Sequence, residues 1–179
     1  MKRLLDREEI ERGVAALARE VTAEFGDQPI TVVGVLTGCL MLVADLVRHL
    51  EMPVELGFVT ASSYRGTTES GDLLLKLDDL PDLTGRQVLV VDDIFDSGKT
   101  LAAVKQSLLA RGPSDVKTAA LLIKRGRQVV AERPDFVAFE IPDEFVVGYG
   151  LDYRDRFRNL PFVAALEPQD LRDLAPRGA

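Results

Sequence analysis

Apolar residues recur along the chain first with a helical period and then with a strand's. Ile10, Val14, Leu17, Val21 and Phe25 fall three or four apart on one face, which predicts a packed helix over residues 6–25. Asp6 and Glu9 have capping-box spacing at its start, and Gly26 supplies a stop. Residues 30–36, ITVVGVL, read as a buried strand; Thr37-Gly38 breaks it, and residues 39–50 continue as a helix with Met41, Leu42 and Leu46 as core positions. Further strands are predicted at residues 54–61, 73–77, 88–91, 116–123, 136–141 and 146–149. From Lys99 onward Leu101, Val104 and Leu108 share a helical face, and Gly112-Pro113 ends that helix. Strands and helices alternate through the first two-thirds, and strands dominate afterwards. The pattern predicts a parallel α/β core with a β-rich part added from the C-terminal region. No repeat or low-complexity linker divides residues 1–179, which read as one domain, with 167–179 as a peripheral helix turn or frayed end.

The polar interruptions carry the candidate chemistry. Val88 to Val91 form an apolar run, and Asp92, Asp93 and Asp96 follow it before Ser97-Gly98-Lys99-Thr100 opens the next helix. These carboxylates therefore fall at the carboxyl edge of the sheet, where open α/β folds bind ligands. Backbone N–H groups around residues 97–100, with the Ser97 and Thr100 hydroxyls, suit an anion. The acidic half suits sugar hydroxyls, a hard cation such as Mg²⁺, or a proton. A phosphorylated sugar with free hydroxyls and a metal satisfies both halves. A nucleotide-triphosphate P-loop is excluded, because Asp93 stands where that motif needs a glycine. Simple helix capping by Asp96 or Ser97 leaves the adjacent Asp92-Asp93 pair without a purpose.

Thr37-Gly38 is a second strand–helix junction and a second candidate anion site. Residues 62–72 are polar and rich in Ser, Thr and Gly around Tyr64, and a connection of that length suggests a closing lid.

Composition narrows the function classes. The net charge is -7 without any basic run, which argues against nucleic acid or an anionic membrane as a main partner. Cys39 and His49 are the only residues of their kinds, so an intramolecular disulfide is excluded and zinc, Ser-His or Cys-His chemistry is disfavoured. The N-terminal residues lack an apolar secretory core and no stretch is apolar enough to span a bilayer, so a cytoplasmic location is expected.

The string VVDDIFDSGKTL resembles the phosphoribosyl-pyrophosphate loop of type I phosphoribosyltransferases, in the form of the hypoxanthine/guanine branch of purine salvage. VLTGCLMLVADL, the SSY after Ala61, LLIK ending at Lys124, and FEIPDEFVVGYGLDYRDRFRNLP extend the likeness to about Leu166. The resemblance implies the family fold: a central, mostly parallel sheet flanked by helices, with a small hood built largely from C-terminal elements. It also implies transfer of phosphoribose from phosphoribosyl pyrophosphate to a purine base with Mg²⁺, by a homodimer or homotetramer.

By the same resemblance, Asp92 and Asp93 match the acidic pair that holds ribose hydroxyls and metal, and Asp96 matches the acid/base near purine N7. Ser97, Gly98, Lys99 and Thr100 match the 5′-phosphate cradle. Lys124 matches the donor to the 6-oxo group, Phe145 the stacking ring, and Val146 a backbone contact to the base edge. Asp152 matches a further carboxylate beside the metal and base, Arg158 and Thr37-Gly38 the pyrophosphate contacts, and Ser63-Tyr64 the lid tip. Two positions depart from the common pattern. Asp92 replaces a frequent Glu and has a shorter reach, and Thr37 replaces a frequent Lys or Arg, so one cation is missing. Three rival readings are a xanthine-preferring transferase, an RNA-binding regulator of the same fold, and a receiver domain. The acidic balance weighs against the regulator, and the mid-chain position of the Asp pair against the receiver.

Overall fold

The computed structural model describes residues 1–63, 73–77 and 80–173. A short strand, β1 (Lys2–Leu5), precedes helix α1 (Arg7–Phe25). The capping box forms as the spacing predicts: the Glu9 N–H donates to Asp6 Oδ1 at 2.7 Å and the Asp6 N–H to Glu9 Oε2 at 2.8 Å. Ile10, Val14, Leu17, Val21 and Phe25 are all buried.

The main sheet contains β2 (Ile30–Leu36), β3 (Val54–Ser63), β4 (Leu73–Lys76), β5 (Gln87–Phe95), β6 (Asp115–Lys124) and β7 (Phe136–Ile141). Its order is β4-β3-β2-β5-β6-β7, parallel throughout except for the antiparallel edge strand β4. Helix α2 (Leu40–Leu46) lies between β2 and β3, and α3 (Lys99–Leu109) between β5 and β6. The strand period of two sends Leu89 and Val91 into the core shared with α1 and α2. Val88 and Val90 enter the core on the other face, with Leu101, Val104 and Leu108 of α3. Each such side chain contributes roughly 1.5–3 kcal/mol by leaving water.

From β2 the chain crosses to β3 on one side, whereas β5 lies on the other side of β2. The loops leaving β2 and β5 therefore diverge at their carboxyl ends and leave a crevice between them. A second sheet stands over this region, ordered β1-β9-β8, with β8 (Val146–Val147) and β9 (Val163–Ala165). Helix α4 (Pro168–Asp173) follows.

Several expectations are corrected. The hood is built largely from C-terminal strands, as expected, and gains one strand that was not expected, β1, since Lys2 pairs with Ala165 across nearly the whole chain. Residues 39–50 are not one helix: α2 ends at Leu46 and a 3-10 turn covers Val47–His49. Met41 is 37% exposed, because it lies about a quarter-turn from the Leu42–Leu46 face that meets the sheet. Strand β8 stops at Val147, where Gly148 bridges to Leu151 and Tyr149 takes φ 50°. Residues 62–63 belong to β3 rather than to the following loop, and β5 runs on through Phe95 so that Asp92 and Asp93 are strand residues.

Candidate active site

A cavity of about 410 Å³ opens at the carboxyl ends of β2 and β5. Thr37 and Gly38 line it from the loop after β2, and Asp92, Asp93, Asp96, Ser97, Gly98 and Thr100 from β5 and the turn into α3. Asp152 and Arg158 reach it from the loop that follows β8. Ten of the residues singled out from the sequence are thus brought to one crevice.

The acidic pair is built into the strand. Asp92 is buried, and its Oδ1 accepts the Asp93 N–H at 3.0 Å. Burial, followed by the neighbouring Asp93 charge, pushes the Asp92 carboxyl well above its ordinary range. Burial also raises Asp93, with Arg158 among the opposing influences. Gly38 packs so closely on this carboxylate that a Cβ there would lie 1.6 Å from Asp93 Oδ2. Cys39, just behind, is fully buried, and burial raises its thiol, so it packs as a small, inert side chain.

The turn into α3 keeps its donors available. Gly98 is the N-cap in the left-handed region at φ 85°, with no side-chain cap. Ser97 Oγ only weakly accepts the Lys99 N–H at 3.4 Å, and Asp96 is engaged elsewhere, so neither acts as the N-cap. The Lys99 side chain is exposed and stands outside the cavity lining, so at this position any part in the site falls to the backbone of the helix start.

Lys124 ends β6 and is nearly buried. Its Nζ lies 3.5 Å from Asp96 Oδ2 and 3.8 Å from Asp143 Oδ1. On the opposite oxygen, Arg127 Nε donates to Asp96 Oδ1 at 3.0 Å. Phe145 is 53% exposed and meets Tyr153 edge-on, with ring centroids 5.6 Å apart. Val146 is buried and pairs with Ala165 in the hood. Lys124, Phe145 and Val146 stand outside the lining of the 410 Å³ cavity. Ser63 closes β3 opposite Leu73, while Tyr64 and the remainder of the expected lid lie outside the described residues.

The loop after β8 holds Arg158 in place. Its Nη1 donates to the Gly150 carbonyl at 2.8 Å, and its Nη2 lies 2.8 Å from Asp152 Oδ1. Asp152 Oδ2 accepts the Asp155 N–H at 2.8 Å, in a turn where Arg154, Asp155 and Phe157 all have positive φ. Gly150, at φ 100°, sits against the Gly38 carbonyl, where a Cβ would come within 2.0 Å. Among the described residues no three His, Cys, Asp or Glu side chains are grouped to hold a metal unaided. The hard oxygens of Asp92 and Asp93 nonetheless suit Mg²⁺, which commonly takes one or two carboxylates and fills its shell with substrate phosphate and water.

Arg127, Asp143 and Gly150 were not singled out from the sequence. They lie in turns where no hydrophobic period marks a position, and only pairing in space reveals them.

The phosphoribosyl transferase domain family matches residues 1–154. The hypoxanthine-guanine phosphoribosyltransferase of Bacillus subtilis is 40% identical over 168 residues, covering 93% of this chain and 93% of its own length. The hypoxanthine phosphoribosyltransferase of Salmonella typhimurium is 42% identical over 165 residues, covering 89% and 92%. Among solved structures, a hypoxanthine-guanine phosphoribosyltransferase from Bacillus anthracis superposes with a TM-score of 0.88 at 39% identity, covering 93% of this chain and 99% of that one. The hypoxanthine phosphoribosyl transferase of Trypanosoma cruzi gives 0.90 at 34% identity, covering 97% and 95%. With these matches spanning both the sheet and the hood, the chain belongs to the phosphoribosyltransferase family, in its hypoxanthine-guanine branch.

Proposed function

We propose that this chain is a purine-salvage transferase that joins hypoxanthine or guanine to phosphoribosyl pyrophosphate, giving IMP or GMP and pyrophosphate. The observation that carries the reading is the Asp96–Lys124 pair, 3.5 Å apart, beside a cavity lined by an amide-rich helix start, the buried Asp92 and the partly buried Asp93. A purine with a 6-oxo group and a titratable imidazole edge matches a fixed ammonium next to a carboxylate.

In this reading the amides of residues 97–100 and the Ser97 and Thr100 hydroxyls hold the 5′-phosphate. Asp92 and Asp93 accept the ribose hydroxyls, and Asp92, Asp93 and Asp152 are the candidate carboxylates for Mg²⁺. When bound, Mg²⁺ supplies positive charge to the pyrophosphate oxygens. Arg158 and the Thr37-Gly38 backbone bind the same pyrophosphate. Purine N9 attacks the anomeric carbon as the bond from that carbon to the pyrophosphate oxygen breaks, with oxocarbenium character in between. The proton that leaves N7 passes to Asp96. Lys124 donates to the 6-oxo oxygen and disfavours adenine, whose amino group would face an ammonium and leave a donor unpaired. Phe145 stacks on the base, and the Val146 backbone and Asp152 read its far edge.

The chain works as one phosphoribosyltransferase unit within a homodimer or homotetramer, in the cytoplasm, on small-molecule substrates. Among the described residues no helix is long and apolar enough to cross a membrane. Steady-state rates with hypoxanthine, guanine, xanthine and adenine, each with and without Mg²⁺, test the proposal. Rapid, Mg²⁺-dependent turnover of the first two supports it, and no nucleotide from either overturns it.

A further inference from the structure

Asp96 is held from two sides, and the reaction outlined above uses only one of those partners. Lys124 faces Oδ2 at 3.5 Å, while Arg127 Nε donates to Oδ1 at 3.0 Å. Arg127 stands in the connection between β6 and β7, which is tied to the Asp96 loop by the Val129 N–H donating to the Ser97 carbonyl at 3.0 Å. The Gln128 amide donates to the Lys124 carbonyl and binds the same turn to the end of β6. Asp143, from the turn after β7, closes the group: its Oδ1 lies 3.6 Å from Arg127 Nε and 3.8 Å from Lys124 Nζ. Two cations and two carboxylates alternate around the proposed base-binding edge.

A carboxylate that takes a proton from a heterocyclic nitrogen must present one oxygen in the plane of the ring. The last torsion of an aspartate is broad, so an unrestrained Asp96 would present that oxygen only part of the time. Lys124 cannot supply the restraint during turnover, because the purine's 6-oxo oxygen competes for its ammonium. The purine makes no such demand on Arg127, whose Nε–H, fixed in the plane of the guanidinium, keeps its direction on Oδ1 while Oδ2 is free to meet the base.

We propose that Arg127 is a positioning residue for Asp96, fixing the carboxylate through Oδ1 so that Oδ2 faces the imidazole edge of the purine, with Asp143 steadying Arg127 and Lys124. The inference rests on the assignment of Asp96 as the proton-handling group. Half-exposed ion pairs of this kind add little to folding, so substitution at Arg127 is expected to leave the chain folded.

The test compares wild type, Arg127→Ala, Arg127→Lys, Asp96→Asn and the Asp96→Asn/Arg127→Ala double variant, all as the full chain. Melting temperature serves as the control for folding. Arg127→Ala should lower kcat about tenfold or more, with the KM for phosphoribosyl pyrophosphate and the Kd for IMP within about twofold of wild type. Arg127→Lys should recover part of the loss, and the double variant should be no slower than Asp96→Asn alone. A wild-type kcat in folded Arg127→Ala, or losses that multiply in the double variant, would overturn the role of Arg127 while leaving Asp96 intact. Full activity in the Asp96→Asn single variant is a distinct result that removes the Asp96 assignment and this inference together.

Discussion

Gly38 and Asp93 occupy space that no other residue at position 38 would leave open: a Cβ there would fall 1.6 Å from Asp93 Oδ2. The loop after β2 and the acidic end of β5 are therefore locked together by the absence of one methyl group. Gly38→Ala must move the carboxylate or the loop, and overpacking of this kind costs about 1–3 kcal/mol. The expected outcome is a fall of roughly a hundredfold in kcat/KM for phosphoribosyl pyrophosphate, from displaced contacts, in a chain that still folds. Steady-state kinetics with circular dichroism checks it, and near-wild-type kinetics would contradict it.

Asp92 is a buried acid whose charged form is disfavoured, first by burial and then by Asp93. Such residues hold back folding in exchange for binding. Asp92→Asn should raise the stability of the ligand-free chain by about 1–2 kcal/mol, a few degrees in Tm, while removing most turnover. A thermal melt paired with an activity assay reads both; a variant that is less stable, or fully active, would contradict the account.

Lys124 is nearly buried at the end of β6, with Asp96 and Asp143 as its acidic neighbours. Lys124→Ala should reduce the preference for hypoxanthine over adenine, measured as the ratio of kcat/KM values, by about tenfold or more. An unchanged ratio would remove Lys124 from base selection.

Long periodic elements were legible in the sequence because burial of one face imposes the period. Helix α1, with its capping box, and strands β2 and β7 match their expected bounds to within a residue, and the core positions of α3 are those its spacing predicts. The hood was legible only in part. A strand was expected at residues 146–149 and forms over Val146–Val147, but Val163–Ala165 is too short to carry a period, and β1 acquires its role only by pairing Lys2 with Ala165. The acidic cluster at the end of β5 was legible because three carboxylates after an apolar run have no packing explanation. Arg127 and Asp143 were hidden in ordinary polar turns, and their meaning comes from the distances to Asp96 and Lys124.

Tyr149 donates its hydroxyl proton to Asp45 Oδ2 at 2.7 Å across the gap between α2 and the hood loop. Burial, then this hydrogen bond, raises its pKa above the ordinary value of 10.0. Below that value folded and unfolded chains both keep the proton. Above it the unfolded chain ionises while the folded chain does not, so stability falls as pH rises. Tyr149→Phe should cost about 0.5–1.5 kcal/mol at neutral pH and lose this group's share of the decline between about pH 9 and 11. Urea unfolding of both chains across that range provides the comparison, and parallel pH profiles would contradict the hydrogen bond's role.

The central claim is that Asp96 moves the proton while the neighbouring amides and carboxylates grip the sugar phosphate. The direct measurement is IMP formation and IMP binding on the same samples of wild type and Asp96→Asn. The account predicts that Asp96→Asn binds IMP within about threefold of wild type yet forms it about a hundredfold or more slowly. Undiminished turnover in Asp96→Asn, or a wild-type chain that never joins hypoxanthine to phosphoribosyl pyrophosphate, would contradict it.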